Sequence, residues 1–229
     1  QRYLGRPPSR RLLGVSAQHY SFVVDAFVRM VKATDAAEYE FSLRETRTFD
    51  IIEDVRTLRS ELGILFRNDF NRNVLDKLLR DSGLAFHPLF VAEPHIFVSR
   101  RNPLASRRRA TLDDLVDLPR LTFDQGANNS FYFAEEILST LSSRQEIRVS
   151  DRATIFNLMI GLGGYTISTG IISDDLDPEI VAVPLEVDEQ IEIGWIGRTA
   201  IPLTEQAQRY LDEVRAVVAG FGVMLLDAG

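Results

Sequence analysis

Apolar residues recur along the chain at two alternating periods. Leu12 to Val15 is a short run that ends at Ser16-Ala17-Gln18. Tyr20, Phe22, Val23, Phe27 and Val31 then follow at helical spacing. Tyr39 to Leu43 alternates as a strand, and Thr48 stands as N-cap before Ile51, Ile52, Val55 and Leu58. Leu62 to Phe66 is a third apolar run. This order, βαβαβ, opens a parallel sheet. Val74, Leu75, Leu78 and Leu79 predict a helix ended near Gly83. Phe86 to Val98 is β-rich and broken by Pro94, so it can run from one lobe to another. Thr111 caps a short helix Leu112 to Val116, and Leu121 to Phe123 is a strand. After the polar turn from Asp124 to Ser130, the pattern predicts a helix over Phe131 to Leu141.

The segment Arg148 to Ile172 is the most strongly punctuated. Ile147 and Val149 read as a strand end, and Ser150 or Asp151 as a helix N-cap. Ile155, Leu158, Met159 and Leu162 give one apolar face, and Gly161, Gly163 and Gly164 end the helix. Tyr165 to Ile172 is the next strand, which completes a βαβ crossover. Ile180 to Val187 and Ile191 to Gly197 are further strands, the latter a candidate second run between lobes. Thr204 caps a last amphipathic helix through Tyr210, Leu211, Val214 and Val217. Residues 221–229 carry no pattern. No internal repeat is visible. Two long β stretches bracketing a central block predict two Rossmann-like α/β lobes joined by two crossing strands. The expected division is a linker over 1–11, a first lobe over 12–93 and 192–222, a second lobe over 94–191, and a tail over 223–229.

Composition narrows the function. The chain has 229 residues, enough for one large domain or for two lobes with cores of their own. It has no cysteine, hence no disulfide, thiolate nucleophile or cysteine-based metal site. His19, His87 and His95 are not at metal-ligand spacing, and no metal or cofactor is expected. The net charge of −7 is the wrong sign for a domain built to grip phosphates. No apolar run is long enough for a membrane span, and no membrane partner is expected. The chain starts at Gln1 without methionine, and its arginines with Pro7-Pro8 read as a connector from an absent segment.

Several stretches carry a resemblance. They are RLLGVSAQ, RETRTFDIIEDVRTLRSELGILF, VSRRNPLA, TLDDLVDLPRLTF, VSDRATIFNLMIGLGG and PLTEQAQRYLDEVRAVV. In this order and spacing they resemble the effector-binding domain of LysR-type transcriptional regulators, from about Leu12 to Val218. The resemblance implies the type 2 periplasmic binding protein fold. The winged helix-turn-helix of about sixty residues that defines such regulators is not in this sequence. DNA would be reached only through that domain. The strand after the glycine turn departs from the family pattern. It reads Tyr165-Thr166-Ile167-Ser168-Thr169-Gly170, more polar and without the usual Leu-Pro.

Four polar loops at strand ends supply the candidate ligand-binding residues. They are Ser16 and Gln18; Thr46 and Thr48; Gln125, Asn129 and Ser130; and Thr166, Ser168 and Thr169. Hydroxyls and amides donate or accept without fixing a charge. Helix N-termini after Ser16, Thr48 and Ser130 would add free N–H groups, a combination suited to a small carboxylate. The plainer reading of any one of these hydroxyls is an N-cap alone. Arg47 and the arginines between Arg100 and Arg109 read first as solvated. His19 reads first as a structural histidine beside the ligand loop. Of Phe131, Tyr132 and Phe133, one ring can line the cleft. The adjacent acidic pairs Asp113-Asp114, Glu135-Glu136 and Asp174-Asp175 read as surface charge.

The function expected is therefore a ligand-sensing regulatory domain. Its effector would be a small carboxylate, an amino-acid-like molecule or a metabolite of sulfur metabolism. The assembly would be a homodimer or homotetramer in the cytoplasm, with helix Ser21–Lys32 of one subunit near Phe131–Leu141 of another. A solute-binding protein of a transporter shares the architecture and is the alternative. An enzyme is disfavoured, because no nucleophile elbow, dinucleotide fingerprint or acid/base pair is present.

Overall fold

The structure is a computed structural model and describes residues 10–226. The expected connector therefore falls almost wholly outside the described residues, as do residues 227–229 of the tail. The first lobe is built from β1 (Arg11–Ala17), α1 (Ser21–Lys32), β2 (Tyr39–Glu45), α2 (Thr48–Arg56), β3 (Leu62–Arg67), α3 (Arg72–Asp81) and β4 (Leu84–Ala92). The second holds β5 (His95–Ser99), β6 (Arg120–Phe123), β7 (Glu146–Val149), α4 (Arg152–Leu162), β8 (Thr166–Ser168) and β9 (Ile180–Pro184). The chain then returns to the first through β10 (Ile191–Arg198), α5 (Glu205–Ala219) and β11 (Met224–Leu225).

The first sheet runs β11-β4-β10-β3-β1-β2. β1 pairs in parallel with β2 and β3, and β10 lies antiparallel between β3 and β4. In the second lobe β8-β5-β9 is antiparallel and β6-β7 parallel. A parallel bridge from Arg120 to Tyr165 joins the two pieces. The α4 crossover thus connects β7 to β8 with β6 between them.

Alternation explains the layers. Leu62, Ile64 and Phe66 of β3 face the cluster formed by Phe22, Val23 and Ala26 of α1 with Tyr210, Leu211 and Val214 of α5. Leu65 faces the opposite cluster, with Ile51, Ile52 and Val55 of α2 and Leu75 and Leu79 of α3. Successive strand side chains point to opposite faces, so both faces of this sheet are covered. In the second lobe Ile155 and Met159 of α4 pack on Leu121, Val149 and Ile180.

The helix punctuation of α4 is as the sequence implies. Asp151 is the N-cap, accepting from the Thr154 N–H at 2.8 Å. Gly163 is the C-cap at φ 70°, a left-handed angle that strains any residue with a Cβ. Gly163→Ala is expected to lower stability by about 1 kcal/mol, read from the urea midpoint. No loss would mean that the helix end relaxes freely.

Four local expectations are corrected. Phe131–Leu141 is not an α-helix; only Phe131–Phe133 forms a 3-10 turn. The Arg120 guanidinium instead takes the carbonyls of Ile137, Leu138 and Leu141 from outside the segment. The strand after Gly164 is Thr166–Ser168, shorter than Tyr165–Ile172, and ends before Gly170 at φ 79°. β10 lies wholly in the first sheet, so the second crossing is the segment 185–190 that precedes it. Within the tail, Met224 and Leu225 pair with Phe90 and Val91 of β4.

Candidate functional site

The two lobes meet along the C-terminal ends of β1 and β2, the start of α2, and the loops after β6 and β8. Gln18 follows β1 and is only 1% exposed. Its amide donates to Thr48 Oγ1 at 2.7 Å and accepts from the Tyr20 hydroxyl and the Phe66 N–H. Thr48 is the first residue of α2. Its N–H donates to Gln125 Oε1 at 3.0 Å and its hydroxyl to the Phe133 carbonyl at 2.8 Å. The second lobe therefore caps a helix of the first. Thr48 is not the N-cap; Arg47 holds that position without a side-chain cap. Arg47 instead reaches across to Asp124 at 2.7 Å. It lies over Gly126, where a Cβ would stand 2.4 Å from Arg47 Nη1.

His19 continues this line inward. Its backbone N–H donates to Glu135 Oε1 at 2.8 Å, and its Nδ1 stands 2.9 Å from both Glu135 oxygens. The imidazole stacks on Phe123 with centroids 4.0 Å apart and planes 5° from parallel. Gln125 Nε2 donates to the other side of Glu135 at 3.2 Å. Burial lowers the His19 pKa, but the Glu135 charge and hydrogen bond, with Glu45 and Glu136, outweigh it and leave the group raised above 6.5. Glu136 is buried beside them and accepts from the Phe123 N–H at 2.9 Å. Burial, then the Glu135 charge, pushes its carboxyl up to about 8. Arg152, at the start of α4, closes the rim by donating to Glu45 at 2.9 Å.

These groups border a pocket with Phe97, Phe156, Thr166 and Ser168. It is narrow, with room for little more than a single water molecule between its walls. The lobes are shut on it. A wider, solvent-open groove lies beside the crossing segments, where Arg67 and Arg72 are taken up by Glu192. The smaller cleft is the better candidate because buried polar groups from both lobes converge there on one another.

The structure brings Gln18, Thr48 and Gln125 into one network and places Thr166 and Ser168 on the pocket wall. The other candidates lie elsewhere. Ser16 is fully buried and bonded to Asp54 and Ser60, each at 2.7 Å, so it braces β1 from behind. Thr46 is held by its backbone to Ala17. Asn129 and Ser130 are exposed and border a different groove. Thr169 is buried, and its hydroxyl accepts from the Ile171 N–H. The expected helix start after Ser130 is a three-residue turn, and α1 begins only at Ser21.

The acidic pair Glu135-Glu136 is corrected from surface charge to buried cleft residues. His19 is a structural histidine, as expected, and also lines the cleft. Phe133 packs partly buried against α2, whereas Phe131 is exposed and Tyr132 stacks on Phe70. Among the described residues no cluster could hold a metal ion, and no helix is long and apolar enough to cross a membrane.

A family model for the LysR substrate binding domain matches residues 33–219. No curated protein sequence matches the chain significantly. Among solved structures, the regulatory domain of MetR, a LysR family regulator from N. meningitidis, superposes with TM-score 0.62 at 14% identity, covering 94% of this chain and 98% of that one. The effector binding domain of QuiR in complex with shikimate gives 0.59 at 15%, covering 91% and 97%. The reduced form of OxyR gives 0.59 at 16%, covering 93% and 97%. At these identities the superpositions speak to the fold, which is that of two-lobed regulatory domains.

Proposed function

We infer the function from one premise: the chain belongs to the LysR substrate-binding domain family. It is the ligand-sensing regulatory domain of a LysR-type transcription regulator. The finer reading concerns the effector. We place it in the interlobe cleft, against His19, Thr166, Ser168, Phe123 and Arg152, as a small organic or amino acid bearing a carboxylate. The network from Gln18 through Thr48 and Gln125 to Glu135 and His19 carries this reading, since it spans both lobes and is polar where a core would be apolar. Shikimate, named with QuiR, is itself a hydroxylated carboxylate.

The same reading gives the domain no catalytic role, a cytoplasmic setting, and lobes divided near residues 93 and 191. It assembles as a homodimer or homotetramer in which α1 of one subunit lies beside the irregular segment 131–141 of another. Binding changes the angle between lobes, and a dimer bonded through both lobes passes that change to attached DNA-binding domains.

A thermal-shift screen against amino acids, N-acetyl amino acids, organic acids, sulfate and phosphate tests it. A ligand at about a hundred times its Kd adds roughly 2.7 kcal/mol, or about 5–10 °C for a chain of this size. The shift should vanish in Ser168→Trp, whose indole would occupy the space that the effector takes between the opened lobes. A hit that survives Ser168→Trp would move the effector out of the cleft.

A further inference from the structure

We propose that the cleft contains a carboxylate seat, formed by the His19 backbone N–H, the His19 imidazole and the Gln125 amide, and that the chain's own Glu135 fills it as a tethered ligand which a carboxylate effector must displace. This rests on the cleft reading above and deepens it.

The geometry is that of a ligand site with its ligand present. The donors stand 2.8 Å, 2.9 Å and 3.2 Å from the carboxylate oxygens. They come from both lobes, His19 after β1 and Gln125 after β6. The side chains of His19 and Glu135 are each only 4% exposed. A buried carboxylate is tolerable only with such partners. The donors would be equally unsatisfied without it, so whatever leaves the seat must be replaced in kind. An incoming monocarboxylate conserves both the charge and the hydrogen bonds; a neutral or cationic molecule does neither. The surrounding walls, Phe97, Phe123, Ile155 and Phe156, suit an apolar body attached to that carboxylate.

Displacement, and not simple addition, follows from the room available. Little more than one water fits beside Glu135 in the shut cleft. Glu135 sits on the irregular stretch after Phe133, so no helix must break for it to swing out. The tether makes Glu135 an intramolecular competitor, with an effective concentration on the order of millimolar. The unliganded state is then latched shut, and weak carboxylates are rejected because they cannot outcompete it.

Chemical rescue tests the seat. In Glu135→Ala, sodium acetate or propionate should raise the melting temperature saturably. Half-saturation should fall in the millimolar range, at least about tenfold below any response of the native chain. Sodium chloride at equal ionic strength should not substitute. Adding Gln125→Ala should weaken the rescue. A folded Glu135→Ala that responds to acetate no more than to chloride would overturn the proposal.

If Glu135→Ala does not fold, Glu135→Gln is read by NMR titration of His19. The groups around this imidazole are Glu135, Glu136 and Phe123 of the second lobe, Glu45 at the end of β2, Asp151 and Arg152 at the start of α4, and Tyr20 ahead of α1. Loss of the Glu135 charge should lower the His19 midpoint. An unchanged midpoint would count against the seat. A cleft effector with equal affinity for the native chain and Glu135→Ala would leave the cleft reading standing and remove the seat. Acetate rescue without any effector from the screen would keep the seat and send the effector search to other carboxylates.

Discussion

Arg120→Met is expected to lower the stability of the domain by about 3–5 kcal/mol. Arg120 opens β6 and is only 4% exposed. Its guanidinium donates to the carbonyls of Leu138 at 3.1 Å, Leu141 at 3.2 Å and Ile137 at 3.0 Å. Among the described residues no carboxylate forms an ion pair with it. Methionine fills the stem's space but supplies no donor, so the carbonyls of Ile137 and Leu141 lose their partner, while that of Leu138 keeps only the Leu141 N–H at 3.0 Å. Each unsatisfied buried carbonyl costs about 1–3 kcal/mol, and partial hydration of the loosened segment reduces the sum. The segment also holds Glu135 and Glu136, so the cleft should loosen together with it. Urea unfolding followed by Trp195 fluorescence and circular dichroism measures the loss. A change below about 1 kcal/mol would mean that 134–141 holds itself in place without the arginine.

The same segment shows where sequence patterns stop. Ile137, Leu138 and Leu141 after Phe133 and Ala134 have a helix's spacing, and nothing nearby breaks it. The competing partner, Arg120, is distant enough in sequence that only the folded sheet brings it over the carbonyls. By contrast α4 and α5 were legible because their caps are local: Asp151, Gly163 and Thr204 act within a turn of themselves. The layers of the first sheet were legible because period-2 and period-3.6 patterns need no tertiary knowledge. The pairing of Met224 with Val91 had no local signal at all.

The site divides in the same way. Polar residues at strand ends pointed to the meeting line of the lobes, and Gln18, Thr48 and Gln125 do meet there. Ser16 has the same chemistry and position in sequence, but it faces Asp54 and Ser60 on the opposite side. Glu135 and Glu136 were unreadable because two adjacent acids on a helix would diverge to the surface. Once the helix is absent, both can turn inward, one to His19 and the other to the Phe123 amide. The absence of that helix lets both acids turn inward, and Arg120 holds the carbonyls of the same segment.

That pair should make stability depend on pH in an uncommon direction. Glu136 has its carboxyl raised from 4.5 to about 8, by burial first and the Glu135 charge second. Between those values the folded state holds a proton that the unfolded chain has released. Stability therefore falls as pH rises through this window, by at most about 1.4 kcal/mol per pH unit. His19 acts in the same direction. Its raised folded pKa contributes stability that is complete below 6.5 and lost as pH rises through the folded value. In Glu136→Gln the amide keeps an acceptor for the Phe123 N–H and has no charge to bury. The variant should lie close to the native protein at pH 5 and exceed it by on the order of 2–4 kcal/mol at pH 8.5. Unfolding midpoints across pH 5–8.5 measure this. Curves that run parallel for the two proteins would show that Glu136 is ionised throughout and that Arg120 offsets its burial. If they converge at acid pH, folding takes up a proton at Glu136, and alkaline conditions weaken the packing of the cleft wall that carries it.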